Sequence, residues 1–189
     1  MNIIEIVGFI TGVLGIYLTL KEKIWCFPIG IINVLLSMVL FFSQNLYADA
    51  LQQIVYLILL IYGWLKWFSN TKDKEIKISK LYIREIVFLL IIACFTSLLL
   101  GYILAQYTDA SFPWLDSSAT SISFVAQWII AKKKIENWIF WMIVNITYIG
   151  IYLNKNLYLY SLLFLVYFIL AIWGYLEWKK QLDTYEKTV

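Results

Sequence analysis

Seven runs of apolar residues, each about as long as a membrane is thick, make up most of this 189-residue chain. A helix of about 20 apolar residues crosses the roughly 30 Å of hydrocarbon in a bilayer. The runs lie near residues 3–20, 25–43, 49–67, 85–106, 117–131, 138–153 and 158–178. Charged residues are only 14% of the chain, which leaves too little polar surface for a water-soluble globule. We therefore predict an all-α membrane protein in which seven transmembrane helices form one bundle.

The basic residues fall on one side of the membrane if successive loops alternate between the two sides. Of the 15 Lys and Arg residues, all but Lys155 then share one side. Because basic loops remain in the cytoplasm, the N-terminus is predicted outside and the C-terminus inside. The basic segment 66–84 then becomes a cytoplasmic connector near anionic membrane lipid, with no role in binding nucleic acid.

Two segments of the chain resemble each other at a fixed separation in sequence. This separation, which relates Asn45 to Asn156, is called the repeat offset below. Residues 45–67 begin Asn-Leu-Tyr and end Tyr-Gly-Trp-Leu-Lys-Trp, whereas residues 156–178 begin Asn-Leu-Tyr and end Trp-Gly-Tyr-Leu-Glu-Trp. One helix earlier, Asn33 matches Asn145 if the repeat offset is lengthened by a single position. Chance similarity between apolar helices is the alternative to a true repeat.

A single linker helix between two three-helix units makes the units parallel. The sequence therefore predicts parallel repeats in a 3+1+3 arrangement, which resembles the SWEET sugar transporters. Residues 1–67 form the first three-helix repeat, and residues 68–110 contain the cytoplasmic connector and the linker helix. Residues 111–180 form the second three-helix repeat, and residues 181–189 form a cytoplasmic tail. Because solute sites in repeat-built transporters usually lie near the middle of the membrane between the repeats, we expect polar side chains at this depth to bind a solute.

Polar and aromatic residues recur three and four positions apart, a spacing that places them on one face of a helix. The predicted substrate-binding residues are Trp138, Trp141, Asn145, Tyr148, Tyr152, Asn33, Gln53, Tyr56, Gln127 and Tyr167. An amide in hydrocarbon is unfavourable unless it is hydrogen-bonded, so both asparagines should face the interior of the bundle. Aromatic plates with amides suit a flat heteroaromatic solute, including a cationic one. A phosphorylated solute fits poorly, because no basic residue lies deep in a predicted span.

Several of these residues also have a purely structural interpretation. Four tryptophans near helix ends could form an aromatic belt at the membrane interface, namely Trp25, Trp67, Trp138 and Trp178. Asn33 and Asn145 could tie helices together instead of binding a solute. Asp49 and Asp116 lie where two predicted helices begin, so they could cap those helices or contact a substrate.

The residue types that are missing from the predicted spans also constrain the function. The chain has no histidine, and its carboxylates lie near the ends of the spans rather than in the middle. Ion-coupled carriers generally use buried acidic or histidine relays, so facilitated diffusion by alternating access is predicted. Neither a nucleophile with a base nor a metal-binding cluster is evident, and no enzyme activity or cofactor is expected.

The chain resembles the PnuC family of bacterial B-vitamin transporters over nearly its whole length. The resembling segments are residues 25–33, 46–49, 62–64, 112–117 and 135–145, and Glu-Asn-Trp-x-x-Trp at 136–141 is the most specific. This resemblance implies a SWEET-related 3+1+3 fold and a homotrimer in the bacterial inner membrane. It implies facilitated diffusion of an unphosphorylated vitamin, which a cytoplasmic kinase then traps. The family's binding residues would correspond to Trp138, Trp141 and Asn145.

Some members of the family carry nicotinamide riboside and others carry thiamine. The sequence is compatible with either substrate. Some nicotinamide riboside carriers have Asp where this chain has Asn145, and this chain starts directly at its first predicted helix. These departures slightly favour thiamine, and nicotinamide riboside is the alternative. A membrane receptor or scaffold that binds a solute without moving it is the more remote alternative.

Overall fold

The computed structural model of the chain describes residues 3–43, 47–69 and 76–188. The helices are α1 (Ile3–Leu20), α2 (Cys26–Ser43), α3 (Tyr47–Ser69), α4 (Ile83–Tyr107), α5 (Pro113–Ile130), α6 (Asn137–Asn154) and α7 (Tyr158–Thr188). Each apolar run of the sequence lies in one of these helices, so the prediction of an all-helical chain with seven helices is confirmed for the described residues. Helix α7 continues through residues 181–188, so the described part of the predicted tail is helical.

Four of the described helices are long and apolar enough to cross a membrane: α2, α3, α4 and α7. Residues 6–20 of α1 form a shorter apolar helix. By length and composition alone, seven spanning helices are therefore not established. The sequence of α5 contains several Ser and Thr residues and a Gln, and that of α6 contains Asn and Tyr residues. These polar residues lower the hydropathy of both helices, of which α5 has most of its residues buried.

Six helices close into a ring around a shared interior. The neighbouring pairs are α1–α2, α2–α3, α3–α5, α5–α6, α6–α7 and α7–α1. Helix α4 lies outside this ring and packs against α5. We refer to α1–α3 as the first half and to α5–α7 as the second half. The halves meet along two seams, α1–α7 and α3–α5.

Matching aromatic pairs lie at corresponding places in the two halves. The Phe27 and Trp67 rings are 5.0 Å apart and meet edge to face at 87°. One repeat offset later, the Trp138 and Trp178 rings are 5.4 Å apart and meet at 86°. Phe27 also packs against a glycine of α3, and Trp138 packs against a glycine of α7. The same local packing therefore occurs twice, once in each half.

The backbone keeps the repeat offset along α2 and α6, because the first residues of the two helices and their last residues are both separated by it. Asn33 thus corresponds to Val144, and Asn145 corresponds to Val34. The longer offset that aligns the two asparagines in the sequence is not the offset of the helices. A shift by a single position along a helix is a rotation of about 100°, so the two amides point in different directions.

Three of the four tryptophans near helix ends are core residues rather than belt residues. Trp67, Trp138 and Trp178 are buried in one hydrophobic cluster that joins the two halves. Trp25 is 66% exposed and is the one that fits an interfacial position. The belt interpretation is wrong for the other three because neighbouring helices cover their rings.

The described part of the connector packs on the protein. The Ser79 N–H donates to the Lys133 carbonyl at 3.1 Å, and the Ile135 N–H donates to the Ser79 carbonyl at 3.0 Å. Ile78 and Leu81 are buried beside this contact. Residues 70–75 of the connector lie outside the described residues. The connector thus rests on the turn between α5 and α6, and its predicted proximity to lipid stays a prediction.

Candidate solute-binding site

The aromatic–amide stripe of α6 is divided between the core and the ring interior. Trp138, in the first turn of the helix, is 2% exposed and lies against Trp178 and Gly174. Trp141 is partly buried and packs against both hydrophobic clusters of the bundle. Asn145 follows one turn later and is buried. Trp138 is therefore a packing residue, whereas Trp141 and Asn145 lie deeper along the helix.

The two asparagines differ in their hydrogen bonding. Asn33 Nδ2 donates to the Gly8 carbonyl oxygen at 2.6 Å and to Thr11 Oγ1 at 3.0 Å. Asn145 is 3% exposed, and within the described chain its amide has no hydrogen-bond partner. The amide is not among the described side-chain atoms that are both fully enclosed and unpartnered, so it keeps some accessible surface. Asn33 thus ties α2 to α1, whereas Asn145 makes no comparable tie between described helices.

Aromatic rings from α6 and α7 continue the site beyond Asn145. Tyr148 and Tyr152 stack at 6.0 Å, and Tyr152 stacks on Tyr160 at 5.4 Å. Phe164 lies 4.8 Å from Tyr148, 5.4 Å from Tyr152 and 5.7 Å from Tyr167. Stacked and tilted rings at these distances form an apolar wall with polar edges.

The α3–α5 seam supplies a more polar wall. The Tyr56 hydroxyl is hydrogen-bonded to Ser123 Oγ, and its ring meets Phe124 at 5.2 Å. Thr120 Oγ1 and the Tyr148 hydroxyl are 3.3 Å apart, which connects this wall to α6. The site therefore combines hydroxyl groups of α5 with the rings of α3 and α6.

The remaining predicted residues lie around these walls. Gln127 on α5 is buried and Gln53 on α3 is half-buried, and neither is hydrogen-bonded within the described residues. Tyr167 places its hydroxyl against Gly12 of α1, where a side chain would collide with it. Tyr167 therefore helps to close the α1–α7 seam, and Gly12 is needed as a small residue.

The two acidic residues near helix starts each lie in the first turn of a helix. Asp116 lies in the first turn of α5, but the residue at the capping position is Phe112. Asp49 lies in the first turn of α3. Asp49, Asp116 and Lys155 are within electrostatic range of one another at the same end of the bundle. Among the described residues, no group of three or more acidic or thiol side chains could hold a metal ion.

The substrate-binding residues predicted from the sequence leave out five residues of this site: Thr120, Ser123, Phe124, Tyr160 and Phe164. The repeat could have identified Phe164, because it lies one repeat offset after the predicted Gln53. Ser123 corresponds to Gly12 by the repeat offset as Tyr56 does to Tyr167, so the Tyr56–Ser123 contact repeats the Tyr167–Gly12 contact, whereas Phe124 carries no comparable pattern. Their roles depend on the approach of α3 to α5, which only the fold specifies.

The sequence profile of the family described as "Nicotinamide mononucleotide transporter" matches residues 2–180. The chain belongs to this family. The predicted resemblance to PnuC proteins is thereby confirmed. Membership makes the chain a multi-pass transporter of the bacterial inner membrane.

Individual relatives resemble the chain along most of its length. The "Nicotinamide riboside transporter PnuC" of Escherichia coli K12 is 29% identical over 201 residues, which cover 93% of this chain and 84% of the relative. The "Riboflavin/roseoflavin transporter RibM" of Streptomyces davaonensis is 25% identical over 182 residues, with 92% and 83% covered. The crystal structure of the "Vitamin B3 transporter PnuC" has a TM-score of 0.76 at 24% identity, with 94% and 81% covered. This similarity shows that the fold is shared.

Proposed function

We propose that this chain transports nicotinamide riboside across the bacterial inner membrane. The observation that carries the proposal is the buried, unpartnered amide of Asn145, one turn after Trp141 and one turn before Tyr148 within the described part of α6. Nicotinamide riboside has a flat cationic ring with a carboxamide, and a ribose with hydroxyl groups. An amide side chain can pair with the carboxamide, and aromatic faces can attract the cationic ring.

Nicotinamide riboside is favoured over thiamine, the solute that the sequence alone slightly favoured. The relatives above are named for nicotinamide riboside and for riboflavin. Asn145 does not argue for thiamine, because an amide pairs with a carboxamide at least as well as with an aminopyrimidine. Riboflavin is a useful comparison solute, because it is flat but uncharged at its ring.

The proposal includes the 3+1+3 arrangement with the N-terminus outside. The matching Phe27–Trp67 and Trp138–Trp178 pairs support two equivalent halves, and the clustered basic residues support the orientation. All seven helices then cross the membrane, with α5 and α6 shielded by their neighbours. Domains 1–67 and 111–180 are the two repeats in this arrangement.

The proposed mechanism is facilitated diffusion by alternating access. The middles of the apolar runs lack carboxylate, ammonium and imidazole side chains that could couple transport to an ion gradient. Net uptake then requires removal of the free solute inside the cell, and phosphorylation by a cytoplasmic kinase would achieve this. Homotrimeric assembly is part of the proposal on the basis of the family resemblance.

Purified protein in liposomes tests the proposal. Labelled nicotinamide riboside should equilibrate across the membrane without an ion gradient, faster than labelled thiamine or riboflavin. Saturable binding of nicotinamide riboside with no flux would support a receptor instead. If thiamine or riboflavin equilibrates faster than nicotinamide riboside, the proposed substrate is wrong.

A further inference from the structure

Two turns meet at one end of the bundle, one between α1 and α2 and one between α5 and α6. We call this the lysine-rich end, because Lys21, Lys66, Lys132 and Lys133 lie there. Glu22 and Lys133 occupy corresponding positions in these turns, and both have a positive φ, 54° and 49°. Glu22 Oε2 and Lys133 Nζ are 2.7 Å apart, and their side chains are only 20% and 13% exposed. The ion pair therefore joins the two halves between equivalent positions. Lys133 Nζ also lies 4.7 Å from the centre of the Trp67 ring.

The two seams beside this ion pair carry different charges. On the α1–α7 seam, Lys21 Nζ and Glu177 Oε1 are 3.0 Å apart. The repeat offset relates Lys21 to Lys132 and Glu177 to Lys66. Both of these lysines lie at the α3–α5 seam. One seam thus has an attractive ion pair where the other has two ammonium groups.

Lys132 makes no ion pair among the described residues, and Glu85 is the acidic residue within electrostatic range of it. Its Nζ lies 3.6 Å from the centre of the Trp128 ring. Burial, together with the Lys66 ammonium, holds the pKa of Lys132 below its ordinary value. Lys66 itself lies over the Tyr62 ring at 5.6 Å. Repulsion between the two cations opposes close contact of α3 and α5 at this end.

We propose that the two turns form a gate at the lysine-rich end, and that the gate opens along the α3–α5 seam. Glu22 and Lys133 hold the gate closed, and the Lys21–Glu177 pair keeps the α1–α7 seam together as the hinge. The inference rests on the proposed transport function, because a gate matters only if a solute passes. A partly buried ion pair between two packed halves is a contact that breaks in one state and forms in the other.

Cys26 is a natural reporter of this gate. It is the first residue of α2, its N–H donates to the Lys23 carbonyl at 3.0 Å, and its side chain is buried beneath the Glu22 turn. The other cysteine, Cys94, is exposed on α4 and is removed by Cys94→Ser. A polar maleimide applied to detergent-purified protein then measures how often the gate opens, without any solute.

The decisive variant is Lys66→Glu, which supplies the missing ion pair with Lys132. It should slow both Cys26 labelling and nicotinamide riboside flux by about fivefold, the shift that one exposed ion pair can impose on a closed–open equilibrium. Binding of nicotinamide riboside should be retained. Lys66→Gln removes the repulsion without adding an attraction, and Lys179→Glu makes the same charge change at an exposed position on α7. Neither control should slow labelling to this extent.

Exchange of the central charges gives an independent test. Glu22→Lys and Lys133→Glu should each speed Cys26 labelling, and the double variant should restore the slow rate. Equal effects of Lys66→Glu and Lys179→Glu, or no rescue in the double variant, would overturn the gate. Labelling is measured without solute, so a failure of nicotinamide riboside flux in the unsubstituted protein would contradict the proposed substrate and leave this test intact.

Discussion

At the scale of single residues, the two asparagines illustrate how similar sequence contexts give different roles. Asn33 has partners on α1, and Asn145 has none among the described residues. Asn145→Leu should abolish nicotinamide riboside binding and leave the free energy of unfolding within about 1 kcal/mol of its original value, because no hydrogen bond to another described residue is lost. Asn33→Leu should lower the free energy of unfolding by about 1–2 kcal/mol, because two hydrogen bonds are lost. Thermal unfolding and a binding titration of both variants separate these outcomes.

Trp141 and Trp138 provide a second contrast on one helix face. Trp141→Ala should weaken nicotinamide riboside binding at least tenfold, or about 1.4 kcal/mol, with the protein folded and its oligomeric state unchanged. Trp138→Ala should lower stability by about 3–5 kcal/mol, because its ring fills the core against Trp178. The more exposed Trp25 serves as the control, since Trp25→Ala should change neither quantity. Unaltered affinity of the Trp141 variant would mean that this ring only packs.

Helical spacing alone could not separate these roles. The sequence places Trp138, Trp141 and Asn145 on one stripe, and the structure keeps them there. Spacing along one helix does not predict how deeply each side chain is buried, because burial depends on the neighbouring helix. Trp138 is buried because Gly174 lets α7 approach it closely, and that pairing is a property of the fold.

At the scale of helices, Gly174 and Gly150 lead to opposite expectations. A Cβ at Gly174 would lie 2.6 Å from the Trp138 ring, whereas a Cβ at Gly150 would have no atom within 4 Å. Gly174→Ala should therefore destabilise the protein by about 1–3 kcal/mol through overpacking. Gly150→Ala should raise stability by up to about 1 kcal/mol, because alanine favours the helix. Thermal unfolding in detergent compares them, and equal shifts would contradict the close α6–α7 packing.

The helices themselves were largely predictable, and their register was not. Apolar runs mark the helices, since hydrocarbon-length segments have few alternatives in a membrane. Aligning Asn33 with Asn145 shifts α2 against α6 by a single position from the correspondence that the structure has. Identical side chains attract an alignment, whereas the helix positions are set by turns and by packed pairs such as Phe27–Trp67.

At the scale of the whole molecule, the orientation in the membrane is a prediction that can be measured directly. Lys155 follows α6 and is exposed, and Lys179 is exposed near the end of α7. In a cysteine-free background, Lys155→Cys should react with an impermeant maleimide added outside intact cells. Lys179→Cys should react only after the cells are opened. The reverse pattern would place the N-terminus inside.

The ring of six helices was beyond sequence reasoning, although its parts were not. The repeat predicts that α1–α7 and α3–α5 should be equivalent contacts only if the order of helices around the ring is already known. Hydropathy indicates that helices pack together, but it does not select which ones, because their apolar surfaces are chemically alike. Specific pairs such as Tyr56–Ser123 and Tyr17–Trp173 make that selection.

The α1–α7 seam joins the first and the last of the described helices. The ring therefore cannot close before α7 has been synthesised. Until then, α1 lacks its contact with α7. Contacts between distant parts of a chain form late and slowly. A chain truncated before α7 would lose this seam and the partner of Trp138 together. Closure of the ring thus depends on α7, whichever of the other contacts have already formed.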